Sequence, residues 1–568
     1  MLITPALKSI GKYYPQQHNL LHSRSPVLYI SRAFSMSFLT ANHTASVLSS
    51  LPTNVAGIDL NPMDLQSPWG AYLPVLMALG FLVYLSYTPR IKGKIPAFTP
   101  ETYPIIGSYR FFTHKLSFWK AAQAASKNGM FSFWLGKNHV VGVSGEAARK
   151  MYLEHPGFDH IKGVILIGHG PDYIDGRKTK QHGIWLPVMA GNKSYAQKNV
   201  LNCQKTAELT KRLPKVTNDV RKAFESVASQ GGIINPAHMC AVLTWDTATR
   251  VFGADEIIDV PENRAKLLHY LPILQKTSSC HLLSFPWASY FSLPYWKRKY
   301  GREGMRRLVT PIVEARMRIN DPVRADDPLQ TFVDNGDSAD YMINFLVSMI
   351  FISAANGCVI SGAMLYSIAH HPEIQEKIYQ EIKAVANQYA ADSSAPLVEQ
   401  LDSLPVKAWE NMSQTIDLCY KECIRMWVAF PMGRMNEGTT DIQIPGTDEV
   451  VPAGGLCSYN TIDVHYNEKL YPEPLKWDPA RFGDGRKEME QEAHGFMGWG
   501  GGKHPCNGIR WAKIQQNMML AYAFAMYKWT GCHKDGSPNT EFIPPTTALN
   551  ELAPALPQNL FLKAEPRK

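Results

Sequence analysis

The chain has 568 residues, of which 45% are hydrophobic and 19% are charged. This composition supplies a large apolar core and excludes disorder as the main state of the protein. The nine cysteines are odd in number and form no CxxC pair, which argues against a disulfide framework and a zinc ribbon. Four charges of the net +9 lie in residues 1–58, which contain no Asp or Glu. Elsewhere the charges are mixed and no recognition motif occurs, so the sequence predicts no nucleic-acid partner.

Residues 1–67 are predicted to form a leader or a lumenal segment. The Ser, Arg and Lys content of its first part, without acids, resembles a mitochondrial transit peptide. Met36 is an alternative start of the chain. A chain that began there would carry the glycosylation sequon Asn42-His43-Thr44 in a lumenal segment, which predicts a glycoprotein.

A single-pass membrane anchor is predicted over residues 68–88. The 25 residues between Asp64 and Arg90 carry no charge, and roughly 20 apolar residues cross the hydrocarbon layer of a bilayer. A buried core helix is the alternative, but no polar stripe crosses this run. Basic residues follow the run and acidic residues precede it, which predicts that the chain after it faces the cytosol. Residues 89–110 contain several prolines and are predicted to form a hinge.

The remaining residues, 111–568, are predicted to form one large domain, because no low-complexity linker or repeat divides them. Helical periodicity dominates this part of the chain, and strand patterns are few and short. The fold class is therefore predicted to be mainly α, with small antiparallel β-sheets. The clearest predicted elements are helices over Tyr341–Ala369, Glu373–Tyr389 and Met412–Phe430, and strands over Asp441–Val451 and Leu456–Val464.

A glycine-rich loop presents a cysteine just before a predicted helix. The loop runs Trp499-Gly-Gly-Gly-Lys-His-Pro-Cys506-Asn-Gly508, and helical periodicity then extends from Ile509 to Trp529. The glycines allow a flat, bulky group to approach the backbone, while backbone N–H groups and the helix dipole favour a thiolate over a thiol. A thiolate in this position is a good axial ligand for haem iron. The alternative is a structural cysteine in a glycine-rich loop.

A charged pair and a distant arginine are predicted to form a buried network. Glu422 and Arg425 lie three residues apart on one helical face, so their side chains can pair. The segment WDPARF at 477–482 contains Arg481, which would complete a Glu-Arg-Arg network. Because such a network is costly unless every member is paired, it would lock the loop that carries the cysteine.

In this order, from the apolar segment to the cysteine loop, the motifs resemble those of the cytochrome P-450 superfamily along nearly the whole chain. The resemblance implies the cytochrome P-450 fold and a haem b cofactor. Trp499 stands where the family usually has Phe. Its large aromatic ring would shield the Cys506 sulfur as the phenyl ring does in the family. No WxxxR motif precedes the central helix, which leaves the second basic contact to the haem propionates unassigned. The site residues implied are Cys506 as the axial iron ligand, His504 as a propionate contact, Gly502 and Gly508 in the haem loop, and Glu422, Arg425 and Arg481 as the structural triad.

The central helix departs from the family pattern at its acid–threonine pair. Counting back from the segment HHPE at 370–373, this pair falls on Ala355 and Asn356, which are the catalytic candidates. Alanine cannot relay a proton and asparagine is a poor acid, so proton delivery would use water or a substrate hydroxyl. Asparagine here, together with Trp499, resembles the group that contains sterol hydroxylases and prostacyclin synthase. The alternative is that Asn356 only bridges a helix distortion.

The resemblance implies a haem-dependent monooxygenase anchored in the endoplasmic reticulum membrane, with a cytosolic catalytic domain. It would hydroxylate a lipophilic small molecule such as a terpenoid, a sterol or another secondary metabolite, with O2 and electrons from a separate NADPH-cytochrome reductase. One alternative is an isomerase or dehydratase of a hydroperoxide or endoperoxide, which needs no reductase; another location is a mitochondrial membrane. A haem sensor would need a sixth protein ligand, and residues 352–357 contain no His, Met or Cys.

A segment rich in aromatic and basic residues is a candidate membrane contact. Residues 280–307 combine a group of six large aromatics over 285–296 with six Lys and Arg residues over 297–307, and aromatics beside cations suit a membrane interface. The alternative is a helix with one solvated basic face. The aromatics are Phe285, Trp287, Tyr290, Phe291, Tyr295 and Trp296, and the cations are Lys297, Arg298, Lys299, Arg302, Arg306 and Arg307.

Overall fold

The computed structural model describes residues 54–55, 58–59, 75–83, 91–102, 107–136, 138–160, 162–163, 194–276, 291–318, 325–429, 431–546, 548–550 and 556–567. Met36, the sequon at Asn42 and most of the predicted leader lie outside these residues. The chain divides into two compact units, Met1–Tyr84 and Leu85–Lys568.

The first unit contains three short described elements. Strands β1 (Asn54–Val55) and β2 (Ile58–Asp59) pair in antiparallel fashion. Helix α1 covers residues 75–83, and all of its side chains are exposed. This helix lies within the predicted anchor 68–88, whose other residues lie outside the described part of the chain.

Helices make up most of the second unit, so the prediction of a mainly α fold is confirmed. The longest of them, α12, has 31 residues and begins where the Ser338 hydroxyl accepts a hydrogen bond from the Tyr341 N–H. In chain order the helices are α2 Arg110–Thr113, α3 Lys115–Ala125, α4 Glu146–Glu154, α5 Tyr195–Cys203, α6 Thr206–Ser229, α7 Pro236–Phe252, α8 Glu256–Asp259, α9 Pro261–Lys276, α10 Leu293–Arg318, α11 Pro328–Asp334, α12 Ala339–Ala369, α13 Pro372–Tyr389, α14 Leu397–Asp402, α15 Val406–Glu410, α16 Gln414–Trp427, α17 Ile462–His465 and α18 Ile509–Met526.

The strands described in the second unit form four small sheets. The largest has the order β3-β4-β10-β7-β5, and the others are β13-β14-β6, β8-β9 and β11-β12. All strand pairs are antiparallel except β10 with β4, which are parallel. The strands are β3 Phe131–Leu135, β4 Asn138–Val143, β5 Phe158–Asp159, β6 Ile233–Ile234, β7 Pro431–Asn436, β8 Ile442–Gln443, β9 Val450–Val451, β10 Leu456–Asn460, β11 Gly500–Gly501, β12 His504–Pro505, β13 Tyr527–Cys532 and β14 Phe561–Pro566.

Helix α12 lies at the centre of the main hydrophobic core. Of the described helices, it alone has the length and apolar composition of a membrane span, but 59% of its most apolar window is buried within the protein. Its side chains pack with those of α7, α10, α16 and α18 in one apolar cluster. Burial on several sides explains why the helix is apolar around its circumference, as expected for a core helix of a large domain.

Three predicted elements end earlier than their patterns indicated. The helix predicted over Met412–Phe430 stops at Trp427. The helix predicted over Ile509–Trp529 stops at Met526, and the next residues form β13, whose side chains alternate between buried and exposed. The strand predicted over Leu456–Val464 stops at Asn460, because the Asn460 side chain accepts a hydrogen bond from the Ile462 N–H and opens α17. The Ile509–Trp529 and Leu456–Val464 patterns both continued past a change of backbone conformation.

Candidate functional site

The cysteine loop is a tight hairpin that leads into α18. Strands β11 and β12 pair Gly500 with Pro505 and Gly501 with His504. The Cys506 N–H then donates to the Trp499 carbonyl at 2.8 Å, which closes the hairpin. Gly508 caps the helix, so Cys506 lies just ahead of the first helical turn, as the sequence indicated.

Gly502 is required where the hairpin touches the end of α4. Its φ is +58°, a conformation that favours glycine, and an added Cβ would lie 2.2 Å from the Leu153 carbonyl oxygen. The Lys503 N–H approaches the same oxygen at 3.4 Å. At Gly508 a Cβ would lie 4.0 Å from the Cys506 sulfur, an ordinary contact, so Gly508 is less constrained than Gly502.

Cys506 differs from the other described cysteines in its exposure. Eight cysteines are described and all are free, but only Cys506 is exposed. The surrounding protein nevertheless desolvates the thiol and raises its pKa, against the opposing effect of a hydrogen bond from the Gly508 N–H. Burial and the helix N-terminus thus act in opposite directions on the sulfur, and coordination of a metal ion would favour its deprotonated form.

The aromatic side chain of Trp499 lies between the cysteine loop and α16. Its ring meets the ring of Tyr420 edge to face, with centroids 5.1 Å apart. One turn further along α16, Ile424 approaches so closely that a Cβ on Gly498 would lie 2.4 Å from its Cγ2 atom. Burial is the main cause that raises the pKa of Tyr420, and the Cys506 charge contributes to the same shift. Helix α16 thus covers one side of the loop that presents Cys506.

The structure brings the three predicted members of the Glu-Arg-Arg network together. Arg425 donates to both carboxylate oxygens of Glu422, at 2.7 and 2.8 Å, and both side chains are fully buried. Arg481 lies 3.4 Å from Glu422. Burial raises the pKa of the Glu422 carboxyl despite these partners.

This network reaches the segment that leads into the cysteine loop. Arg425 also donates to the carbonyls of His465 at 2.7 Å and Pro474 at 2.9 Å. The His465 ring accepts a hydrogen bond from the Met497 N–H at 3.1 Å, two residues before Trp499. A continuous hydrogen-bonded path therefore joins Arg425 to the start of the loop, which gives a structural basis for the predicted locking effect.

A buried basic cluster that the sequence did not indicate lies beside His504. The rings of His504 and His160 stack at 5.3 Å. Arg434, on β7, is 2% exposed and donates to the Leu153 carbonyl, the same oxygen that faces Gly502 and Lys503. No described carboxylate forms an ion pair with Arg434, and its Nε finds no acceptor among the described residues. Burial lowers the pKa of all three groups, that of His160 to about 4, and the charge of Arg434 adds to the shift of both histidines.

The chemistry of this cluster fits the acidic side chains of haem. A buried guanidinium without a counter-ion is costly, and an anionic group that binds there would remove the cost. Two propionates are such groups, and the cluster lies against the cysteine loop. Arg434 and His160 would therefore be the residues that supply the second propionate contact, which the missing WxxxR motif left unassigned. Asn199 on α5 is also buried, and its amide nitrogen has no acceptor among the described residues.

The candidate residues Ala355 and Asn356 lie on a stretch of α12 whose side chains are partly exposed. Ile352 is 42% exposed in the middle of this largely buried helix. One turn later the Asn356 side chain is also exposed, and Ala355 beside it is half-buried. The amide of Asn356 makes no hydrogen bond to a described side chain, so it is available to a ligand or a water. The structure supplies no carboxylate or hydroxyl at 355 and 356, in line with the departure noted in the sequence.

The aromatic and basic segment is only partly described, since residues 277–290 fall outside the described part. At the start of α10, Phe291 is 86% exposed, Leu293 65% and Trp296 45%. The cations do not form one solvated face. Arg298 is buried, and Arg306 donates to the Asn344 side chain on the central helix at 2.8 Å.

A mainly helical domain that presents one exposed cysteine beside an uncompensated basic cluster defines a haem-thiolate protein. The family model described as Cytochrome P450 matches residues 96–552. The chain belongs to the cytochrome P450 family.

Similar proteins and a solved structure support the assignment to this family over most of the chain. A cytochrome P450 monooxygenase of Pseudocercospora fijiensis is 95% identical over 492 residues, which cover 87% of this chain and all of that protein. The cytochrome P450 monooxygenase AacuE of Aspergillus aculeatus is 49% identical over 501 residues, 88% of this chain and 98% of its own length. The structure of retinoic acid bound cyanobacterial CYP120A1 has a TM-score of 0.61 at 20% identity, covering 84% of this chain and 100% of that one, which shows the fold.

The protein is therefore a monooxygenase whose cofactor is haem with a cysteine thiolate as iron ligand. The predictions of the cytochrome P-450 superfamily, its fold and its cofactor are confirmed. The resemblance to sterol hydroxylases and prostacyclin synthase stays a prediction, as do the boundaries at residues 67, 88 and 110.

Proposed function

We propose that this cytochrome P450 hydroxylates a lipophilic secondary metabolite, with Cys506 as the thiolate that binds the iron. The observation that carries the proposal is the exposure of Cys506, alone among the described cysteines, in a hairpin at the start of α18. Haem held by a thiolate supplies the chemistry that activates O2. His504, Arg434 and His160 would bind the propionates, and the network of Glu422, Arg425 and Arg481 would hold the loop in place.

Asn356 would hold the proton source and the substrate in position at the reacting centre through hydrogen bonds. Its exposed amide can donate and accept a hydrogen bond but cannot release a proton at neutral pH. It would therefore orient a water or a substrate hydroxyl from which the proton comes. Ala355, beside it, leaves room for that molecule because its side chain is a single methyl group.

A lipophilic substrate would enter from a membrane. Phe291, Leu293 and Trp296 form an exposed apolar group at the start of α10, and Lys299 lies 5.0 Å above the Trp296 ring. Aromatics flanked by cations favour the boundary between lipid and water. With the predicted anchor 68–88 and the basic residues after it, this supports a location on the cytosolic face of the endoplasmic reticulum.

Electrons would come from a separate NADPH-cytochrome reductase that binds near Cys506. Lys503 is exposed on the cysteine loop, and Lys205 is exposed beside Gln204, whose side chain donates to the Asn507 carbonyl at 2.8 Å. Both lysines thus flank the sulfur and suit an acidic partner surface. Charge reversal at both positions should slow reduction at low salt and lose its effect at high salt.

Reconstitution of the haem-loaded protein with reductase and a panel of lipophilic compounds tests the proposal. We expect a product that gains one oxygen atom from 18O2 and that requires NADPH. Cys506→Ala should abolish it. A product formed from a hydroperoxide without NADPH or reductase would instead establish the isomerase alternative.

A further inference from the structure

A buried group of polar side chains joins three helices behind the Asn356 turn. Thr244 on α7, Ser361 on α12 and Gln516 on α18 are each between 0% and 2% exposed. Polar side chains are rarely buried so completely unless they bond to one another. We call these three residues the polar knot.

The bonds of the polar knot have fixed directions. The Ser361 hydroxyl donates to the Gly357 carbonyl at 2.7 Å, and it accepts a hydrogen bond from the Gln516 amide at 2.6 Å. The hydroxyls of Thr244 and Ser361 are 3.2 Å apart. Since the Ser361 proton is committed to Gly357, the Thr244 hydroxyl is the donor in that pair. The bonds from Gln516 and Thr244 thus fix α18 and α7 against α12, while the bond from Ser361 to Gly357 lies within α12.

The knot acts on the turn that carries Asn356. Gly357 follows Asn356 directly, so its carbonyl belongs to the same helical turn. A Cβ on Gly357 would lie 2.9 Å from the Thr244 methyl group, which shows how closely α7 approaches here. Gln516 reaches this turn from α18, the helix that begins three residues after Cys506.

We propose that Gln516 and Ser361 are positioning residues that set the placement of the Asn356 amide relative to the Cys506 side of the haem. The inference rests on the proposed function, in which Asn356 faces the reacting centre. A serine hydroxyl bonded to a carbonyl one turn back alters the local helix geometry, and the Gln516 amide holds that hydroxyl in place. Loss of the amide frees the turn without removing any group that touches substrate or cofactor.

Gln516 contributes little net stability through its hydrogen bond. Its side-chain oxygen is buried and has no donor among the described residues, so the glutamine carries an unsatisfied polar atom. Replacing it with an apolar residue of similar size removes that cost together with one hydrogen bond, and the net change in stability is small. Gln375 on α13 provides a matched control. It is equally buried and bonds to the N–H and carbonyl of Trp529, at 2.8 and 3.0 Å, but it belongs to another part of the core.

A double-mutant cycle on imidazole binding tests the inference in the haem-loaded, full-length protein. Imidazole binds the iron opposite Cys506, and its dissociation constant is read from the shift of the haem absorption band without any turnover. Asn356→Ala and Gln516→Leu should each change this constant about three- to tenfold, as expected for coupled contacts. The double variant should match Asn356→Ala alone, and Gln375→Leu should leave the constant unchanged.

Additive effects, or no effect of Gln516→Leu beside a clear effect of Asn356→Ala, overturn the inference and leave the proposed function intact. No effect of Asn356→Ala overturns the inference together with the role given to Asn356, and leaves the haem-thiolate function, which rests on Cys506, intact. If Gln516→Leu fails to retain haem, Ser361→Ala takes its place in the same cycle, with Ser361→Thr as the conservative variant that should restore the wild-type constant.

Discussion

Replacement of Arg425 by alanine should be among the most destabilising single changes in the domain. Its guanidinium makes two bonds to Glu422 and two to backbone carbonyls, and neither charged side chain is exposed. Arg425→Ala would leave Glu422 with the Asp478 N–H at 3.0 Å and Arg481 at 3.4 Å. Removing one partner of a buried ion pair costs about 3–5 kcal/mol. Urea unfolding of the haem-loaded protein, followed by fluorescence, measures the loss.

Two control variants separate the buried charge from general damage. Arg318 forms an exposed pair with Glu314, and Arg318→Ala should cost at most about 1 kcal/mol. The double variant Glu422→Leu with Arg425→Met leaves no unpaired charge and should recover part of the stability lost in Arg425→Ala. If Arg425→Ala were no more destabilising than Arg318→Ala, Glu422 would not depend on its partner and the account of the network would be wrong.

Three further changes have expected outcomes. Gly502→Ala should weaken haem binding far more than Gly145→Ala. Both glycines have a positive φ, but only at Gly502 would an added Cβ lie against the backbone. Loss of haem on heating compares the two variants. Arg434→Leu removes a buried unpaired charge, so it should speed transfer of haem to apomyoglobin and leave the haem-free protein at least as stable as wild type. Wild type should unfold more slowly than the variant only when both are loaded with haem. Equal rates of haem transfer would contradict this prediction. Burial lowers the pKa of His465 to about 3 from 6.5, so the histidine takes up a proton when the protein unfolds below pH 6.5. The free energy of unfolding should therefore fall as the pH drops below 6.5, by about 2 kcal/mol near pH 5. His465→Asn should flatten that part of the stability profile, and an unchanged profile would refute the lowered pKa of His465.

The sequence predicted the parts of the site that lie in short, contiguous motifs. Cys506, Gly502 and His504 fall within one loop, and Glu422 with Arg425 within one helical turn. Such spacing fixes geometry locally, while the roles assigned to these residues came from the resemblance to the cytochrome P-450 superfamily. The central helix could likewise be aligned from its C-terminal end, which placed Ala355 and Asn356 on the turn that the structure leaves open.

The basic cluster could not be predicted because strand pairing assembles it from distant segments. His160 follows β5, and Arg434 lies on β7, where Asp159 pairs with Met435. Nearly 280 residues separate them in the chain, and no periodicity in either segment encodes the pairing. An arginine within an otherwise apolar strand was the one available signal. The polar knot was missed for the same reason, since its bonds join three separate helices.

The pKa of Cys506 shows a second limit of sequence reasoning. A helix N-terminus was expected to favour the thiolate, and the Gly508 N–H does act in that direction. The packing of protein atoms around the sulfur acts in the opposite direction, and that packing depends on the tertiary fold.

The ferrous–CO absorption spectrum of the purified protein tests the central claim most directly. Cys506 as the thiolate ligand predicts the red-shifted band of haem-thiolate proteins in the wild type and its loss in Cys506→Ala, while Cys203→Ala, at a buried cysteine, leaves the band in place. A red-shifted band that persists unchanged in Cys506→Ala would contradict the account.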